Sequence, residues 1–235
     1  MKGKFYGIGV GPGDAELVTL KAKRLLDECE IIVAPKTAME KQSVALNIVK
    51  PLLADHKKII ELIFPMTYDE SELSKHWDDA AKQICSMLDK NLNVVFLTLG
   101  DPMVYSTYIY IFRRIKDKGY EAETVPGITS FCAAASRIDV PLAEGKETVA
   151  IIPSAYECEN LDKILVDFDN IVLMKVSRNY EQLVEVLERH RLKEKSVLVS
   201  RCGLDEEIIE YDLDKFIGQK VNYLSMIIVK KSIQN

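Results

Sequence analysis

Apolar residues fall alternately in short unbroken runs and in longer stretches where they recur at spacings of three and four. These are the signatures of buried strands and amphipathic helices. The runs Lys4–Val10, Ile31–Ala34, Ile59–Ile63, Asn93–Leu99 and Glu121–Val125 predict strands. The stretches Glu16–Glu28, Ser43–Lys50, Glu70–Lys90, Tyr105–Lys118 and Thr129–Ile138 predict helices. Glu70–Lys90 is the clearest, with Leu73, Trp77, Ala80, Ala81, Ile84 and Leu88 along one face. Asn93–Leu99 is almost continuously apolar, as a central parallel strand covered on both faces requires. Pro35 is expected to end the second strand, and Gly119 to stop the helix that begins at Tyr105. Strands alternating with helices predict a doubly wound, mostly parallel sheet.

The texture changes near Pro141–Gly145. Beyond it, strands are predicted at Thr148–Ile152, Ile171–Lys175, Val197–Ser200, Glu207–Tyr211 and Leu224–Val229, with helices at Asn160–Phe168 and Tyr180–His190. The last two strands are joined without a helical pattern, so part of this second sheet is expected to be antiparallel. The fold expectation is two α/β domains, residues 1–141 with a mostly parallel sheet and residues 142–235 with a mixed one.

Composition narrows the function classes. The chain of 235 residues has a net charge of −5, no long Lys/Arg block, and 48% hydrophobic residues. An acidic balance argues against a general nucleic-acid binder, while leaving room for a local basic pocket. No apolar run approaches the roughly 18 residues of a membrane span, and no signal-peptide pattern opens the chain, so a cytoplasmic protein without membrane attachment is expected. The cysteines at 29, 85, 132, 158 and 202 form no C-x-x-C pair, and His56, His76 and His190 form no ligand cluster. Free thiols and no bound metal are expected.

Three strand-to-helix junctions carry glycine. The first is Gly7-Ile8-Gly9-Val10-Gly11-Pro12-Gly13-Asp14. It fails the dinucleotide fingerprint, because G-x-G-x-x-G begun at Gly7 meets Pro12 and begun at Gly9 meets Asp14. Its glycines admit close approach of a ligand or of another loop. The second is Leu97-Thr98-Leu99-Gly100-Asp101-Pro102-Met103-Val104-Tyr105, at the carboxyl end of the predicted central strand, where open α/β sheets place ligands. The third is Val125-Pro126-Gly127-Ile128-Thr129-Ser130-Phe131, where the hydroxyls are able to cap the next helix or meet a ligand. Singly each is a plain turn as readily as a site.

Together and in this order, these junctions resemble the tetrapyrrole methylases, a family of S-adenosylmethionine (SAM) enzymes. The resemblance spans the chain and includes Leu17-Val18-Thr19-Leu20-Lys21-Ala22. Val33-Ala34-Pro35-Lys36, Asp101–Tyr108 and Pro126–Phe131 look most like the members that methylate carbon 20 of precorrin-2 or cobalt-factor II in cobalamin synthesis. The resemblance implies SAM in a cleft between two α/β domains, a tetrapyrrole substrate and a homodimer. It carries SAM contacts onto Asp101, Val104, Thr129 and Ser130, and also onto Pro12, Met103, Met174, Cys202, and Met226 or Ile227. Met174 and Cys202 read equally well as core residues.

Methyl transfer from a sulfonium is an in-line displacement with a neutral leaving group, so the protein must align the reactants and exclude water. Tyr105 and Tyr108 beside the Gly100 loop are candidates to orient substrate, with aromatic core packing as the alternative. A polycarboxylate ring calls for basic residues, and Lys36, Lys175, Arg178 and Arg201 lie at or near predicted strand ends. Rival readings are another member of the family, acting at a different ring position or on the modified histidine of elongation factor 2, and a non-enzymatic nucleotide or metabolite binder.

Overall fold

The computed structural model describes residues 2–153 and 155–232. The chain divides into two compact units, the first ending at Thr129 and the second beginning at Ser130.

The first unit holds five strands, β1 (Phe5–Gly9), β2 (Ile31–Lys36), β3 (Lys58–Ile63), β4 (Val94–Thr98) and β5 (Ala122–Val125). All pairings are parallel, in the order β3-β2-β4-β1-β5. Four helices accompany them: α1 (Leu20–Glu28), α2 (Val44–Val49), α3 (Glu70–Leu88) and α4 (Tyr108–Asp117). One face of the sheet packs Phe5, Val33, Val94 and Phe96 against Ala81, Ile84 and Leu88 of α3 and Ile111 and Ile115 of α4. The alternate positions Ile8, Ile32, Ala34, Val95 and Leu97 are equally buried, and α2 packs on β2 and β4. The unbroken apolar runs follow from this double cover.

Three local differences from the sequence reading have physical causes. The helix predicted over Glu16–Glu28 is broken in two. Asp14 caps a 3-10 turn at Ala15–Leu17, Val18 and Thr19 are extended, and Thr19 then caps α1 by accepting from Ala22 N–H. β2 continues through Pro35 instead of stopping there. The carbonyls of Glu30 and Lys36 point to β3, so Pro35 turns its ring nitrogen to the β4 side, where pairing has already ended at Val33. Finally, α4 starts at Tyr108 and not at Tyr105, because Tyr105 takes a left-handed backbone (φ 49°) at the end of the Gly100 loop.

The second unit contains α5 (Ser130–Arg137), β6 (Val149–Ile152), α6 (Leu161–Asp167), β7 (Asn170–Met174), α7 (Tyr180–Arg189), β8 (Ser196–Ser200), β9 (Ile208–Glu210) and β10 (Ser225–Lys230). The sheet order is β6-β7-β10-β8-β9. Only β6 and β7 are parallel; β10 is antiparallel to both β7 and β8, and β9 to β8. One face packs on α6 and α7 through Leu173, Leu198, Ile227 and Val229. The sequence reading puts the joint between domains near Pro141. Here α5 groups with the second unit, because it packs on β10. The segment following α5 is tied to the far end of that sheet. Lys230, whose side chain is 4% exposed, bonds Glu147 at 2.8 Å and Glu144 at 3.2 Å.

Candidate active site

The order β4-β1-β5 brings all three glycine-bearing junctions to adjacent strand ends. They are in direct backbone contact. Gly11 and Gly100 form an antiparallel bridge, with Gly100 N–H donating to Gly11 O at 2.8 Å. A Cβ on Gly9 would sit 2.5 Å from Gly100 O and from Gly127 N, and one on Gly127 would sit 2.2 Å from Gly100 O. Gly9 and Gly127 are therefore glycine because another loop approaches them.

Asp101 binds this arrangement together. Its Oδ1 accepts from Met103 N–H at 2.8 Å, turning its own loop, and its Oδ2 accepts from Gly127 N–H at 2.9 Å, holding the loop after β5. The carboxylate predicted to meet the cofactor spends both oxygens on the backbone of two loops. In these loops Pro12 is buried, Val104 and Thr129 are half-buried, and Met103 and Tyr105 are exposed; Ser130, the first residue of the second unit, is half-buried. The hydroxyls of Thr98, the last residue of β4, and of Thr129 are buried with no hydrogen-bond partner among the described residues. The sequence places Thr98 in the second junction without assigning its hydroxyl a role. Its signal was a single hydroxyl closing an otherwise apolar strand.

Two expected site residues take other places. Tyr108 is fully buried, its ring packed with Phe5, Phe96 and Phe112. Its hydroxyl is 2.7 Å from Thr124 Oγ1, and burial pushes its pKa up to about 12. It is a core residue with no surface to offer a substrate. Lys36 is also engaged: its ammonium pairs with Glu61 at 3.0 Å and donates to Met39 O at 3.1 Å.

On the second unit, Met174 and Met226 stand directly opposite each other across the β7–β10 pair and so share a face. Ile227 points the other way, into the α6–α7 core, with 0% exposure. Alternation along β10 thus puts Met226, and not Ile227, on the same face as Met174.

β7 and β8 both run antiparallel to β10, so their carboxyl ends lie at one sheet edge. There Lys175 (φ 56°) and Arg201 (φ 55°) both have left-handed backbones. For residues other than glycine this conformation is costly and gathers at functional positions. Separated by β10, they stand on the order of 10 Å apart. Arg201 Nε donates to Asp205 O at 2.8 Å. Glu207, which sequence reading missed, closes the same loop, accepting from Gly203 N–H at 2.5 Å and pairing with Arg137 at 2.8 Å. Arg178 is exposed in the turn before α7. Cys202 is buried. Burial first, then Glu207, pushes its thiol up to about 11, against the opposing pull of Arg137. It stays protonated at neutral pH and contributes shape, not a nucleophile.

The sequence profile described as Tetrapyrrole (Corrin/Porphyrin) Methylases matches residues 4–216. The chain is 36% identical over 230 residues to a protein of Methanocaldococcus jannaschii described as "Probable cobalt-precorrin-2 C(20)-methyltransferase", covering 97% of this chain and 96% of that one. It is 32% identical over 232 residues to "Cobalt-precorrin-2 C(20)-methyltransferase" of Salmonella typhimurium, covering 98% of each. Among solved structures, a cobalt precorrin-4 methyltransferase aligns with TM-score 0.78 at 21% identity, covering 99% of this chain and 96% of that one. The uroporphyrin-III C-methyl transferase of Thermus thermophilus complexed with S-adenyl homocysteine aligns with TM-score 0.68 at 21% identity, covering 97% and 98%. At such identity the structural likeness speaks for the fold alone.

Proposed function

Because the chain belongs to the tetrapyrrole methylase family, we propose that it transfers a methyl group from SAM to carbon 20 of precorrin-2 or its cobalt form in cobalamin synthesis. The observation that carries this reading is similarity to C(20)-methyltransferases along the full length of both chains.

The residues present suit a bound methyl donor. Three loops meet at the carboxyl ends of neighbouring strands, and two buried hydroxyls there, on Thr98 and Thr129, find no partner within the described chain. Bound SAM supplies a methyl carbon activated by its sulfonium, with a neutral thioether as leaving group. The protein's part is placement. By fixing Met103 N–H and Gly127 N–H, Asp101 keeps Met103, Val104, Thr129 and Ser130 in constant positions, and in-line displacement penalises small misplacement steeply. The family resemblance also gives donor contacts to Pro12 in the first unit and, separately, to Met174, Met226 and Cys202 in the second.

The acceptor is an electron-rich ring carbon, so the macrocycle provides the nucleophile. Lys175, Arg178 and Arg201 are the residues proposed to hold its carboxylates, Arg by paired N–H donors. Tyr105, exposed beside the Gly100 loop, is proposed to orient the ring. Tyr108, buried in the core, falls outside this set, and Lys36 would meet a carboxylate of the ring only by leaving its pairing with Glu61. A homodimer and a cytoplasmic location belong to the same proposal. Sedimentation at micromolar concentration giving only a 26.6 kDa species would count against the dimer.

The test supplies carbon-13 methyl-labelled SAM with precorrin-2 and with its cobalt form, side by side, and locates the methyl group by NMR. Label at carbon 20 of either ring is the expected result, and the faster ring identifies the substrate. Label at another ring carbon overturns the position. No transfer to either ring overturns the substrate.

A further inference from the structure

Among the described residues, three buried side-chain polar atoms lack a hydrogen-bond partner: Thr98 Oγ1, Thr129 Oγ1 and Asn170 Oδ1. Asn170 already donates through Nδ2 to Glu147 at 3.0 Å, within the Lys230 network. The two hydroxyls lie elsewhere in the first unit, Thr98 at the end of β4 and Thr129 in the loop after β5, the two strands that flank β1. Thr98 pairs with Gly9 in the β1–β4 register, and Gly9 is the residue against which Gly100 and Gly127 close.

Thr98 is 6% exposed. Its backbone is employed, since Thr98 O accepts from Val10 N–H at 2.9 Å. Its hydroxyl is not. β4 otherwise reads Val94-Val95-Phe96-Leu97. Valine at position 98 would keep the shape and the β-branch without burying an unmet hydroxyl. A chain that buries a polar atom at the carboxyl end of its central strand, where α/β sheets take ligands, has a reason to do so that lies outside the chain.

We propose that the Thr98 hydroxyl is a ligand-binding group that hydrogen-bonds the methyl donor, with Thr129 as its counterpart on the next loop. The inference rests on the methyl-donor reading above and adds a residue to it. A hydroxyl both donates and accepts, so a polar atom of either kind on the donor completes it. The consequence is a trade: the hydroxyl costs the ligand-free protein stability and returns affinity when the donor is bound.

Thr98→Val separates these two effects. Calorimetric titration with S-adenosylhomocysteine should show Kd raised about tenfold, the loss of one hydrogen bond. Thermal unfolding of the ligand-free variant should give a Tm equal to or above that of wild type. Thr98→Ser, which keeps the hydroxyl, should restore most of the affinity. An unchanged Kd in Thr98→Val overturns the assignment and leaves the hydroxyl to solvent. So does a rise in Kd that Thr98→Ser fails to reverse, since the effect is then one of packing. An unchanged Kd with a raised KM for the tetrapyrrole moves the contact from donor to substrate and overturns the proposal as stated. Wild type that binds no S-adenosylhomocysteine overturns the methyl-donor reading itself, a result distinguishable from all of these.

Discussion

The ring of Tyr108 occupies the space a side chain on Gly7 would need: a Cβ at Gly7 would lie 2.0 Å from Tyr108 Cε2. The glycine in the middle of β1 thus makes room for an aromatic residue at the start of α4, and the ring locks helix to sheet through Phe5 at 5.8 Å and Phe96 at 6.1 Å. Gly7→Ala is expected to destabilise the protein by at least about 1–3 kcal/mol through overpacking. Tyr108→Phe should cost about 1 kcal/mol for the hydrogen bond with Thr124 and leave turnover intact. Urea unfolding and steady-state assays check both. A folded Tyr108→Phe variant with kcat reduced by orders of magnitude would return Tyr108 to the chemistry.

Asp101 should act through the loops it joins. Asp101→Ala strands the N–H groups of Met103 and Gly127 and is expected to weaken S-adenosylhomocysteine binding by roughly 1–3 kcal/mol. Asp101→Asn, which keeps one carbonyl oxygen as acceptor, should fall between alanine and wild type. Calorimetry on the folded variants decides. Equal affinities across the three proteins would show that the two loops hold their places without this carboxylate.

Arg201 combines a charge with a left-handed backbone, and substitutions separate the two. Both Arg201→Ala and Arg201→Gly should raise KM for the tetrapyrrole and leave S-adenosylhomocysteine affinity unchanged. Only the glycine variant relieves the φ of 55°. It should therefore be the more stable of the pair by roughly 1 kcal/mol. Thermal unfolding ranks them; the reverse ranking would mean that the loop relaxes to another conformation once the guanidinium is gone.

Acid should unfasten the second unit at Glu147. Bonds first from Lys230, then from Asn170, hold its carboxyl near 2 against an ordinary 4.5. A depressed folded-state pKa means a stabilising contribution fully present above 4.5 and lost as pH falls toward 2. Glu147→Gln should consequently lower stability at pH 7 more than at pH 3, flattening that part of the acid limb. Denaturant unfolding at the two pH values measures the difference. Equal losses at both would remove Glu147 from the acid response.

Much of the candidate site is legible in the sequence alone, because glycines and prolines at strand ends restrict the backbone locally. The junctions at Gly9, Gly100 and Gly127 stood out in this way. What their glycines do did not: the sequence reading admitted a ligand or a second loop, and it is the loops that meet. Asp101 stood out as well, but not its partner Gly127, because that bond depends on β5 and β4 lying on either side of β1. The break before α1 was missed because two caps, Asp14 and Thr19, serve a turn and a helix in succession within one apolar stretch.

Periodicity and punctuation are local quantities, and they determined the strands, most helices, and the parallel and mixed sheets; the family likeness rests on the particular residues of the three junctions. Strand order, register and side-chain environment arise from contacts between residues far apart in the chain. Only the tertiary structure decided that Tyr108 fills the hollow over Gly7, that Lys36 is spent on Glu61, and that Met226 and not Ile227 faces with Met174. It alone brought Lys175 and Arg201 to one sheet edge and left the hydroxyls of Thr98 and Thr129 without a partner in the described chain. The reason is physical: a side chain's chemistry depends on what surrounds it, and those surroundings come from strand pairing across long stretches of chain.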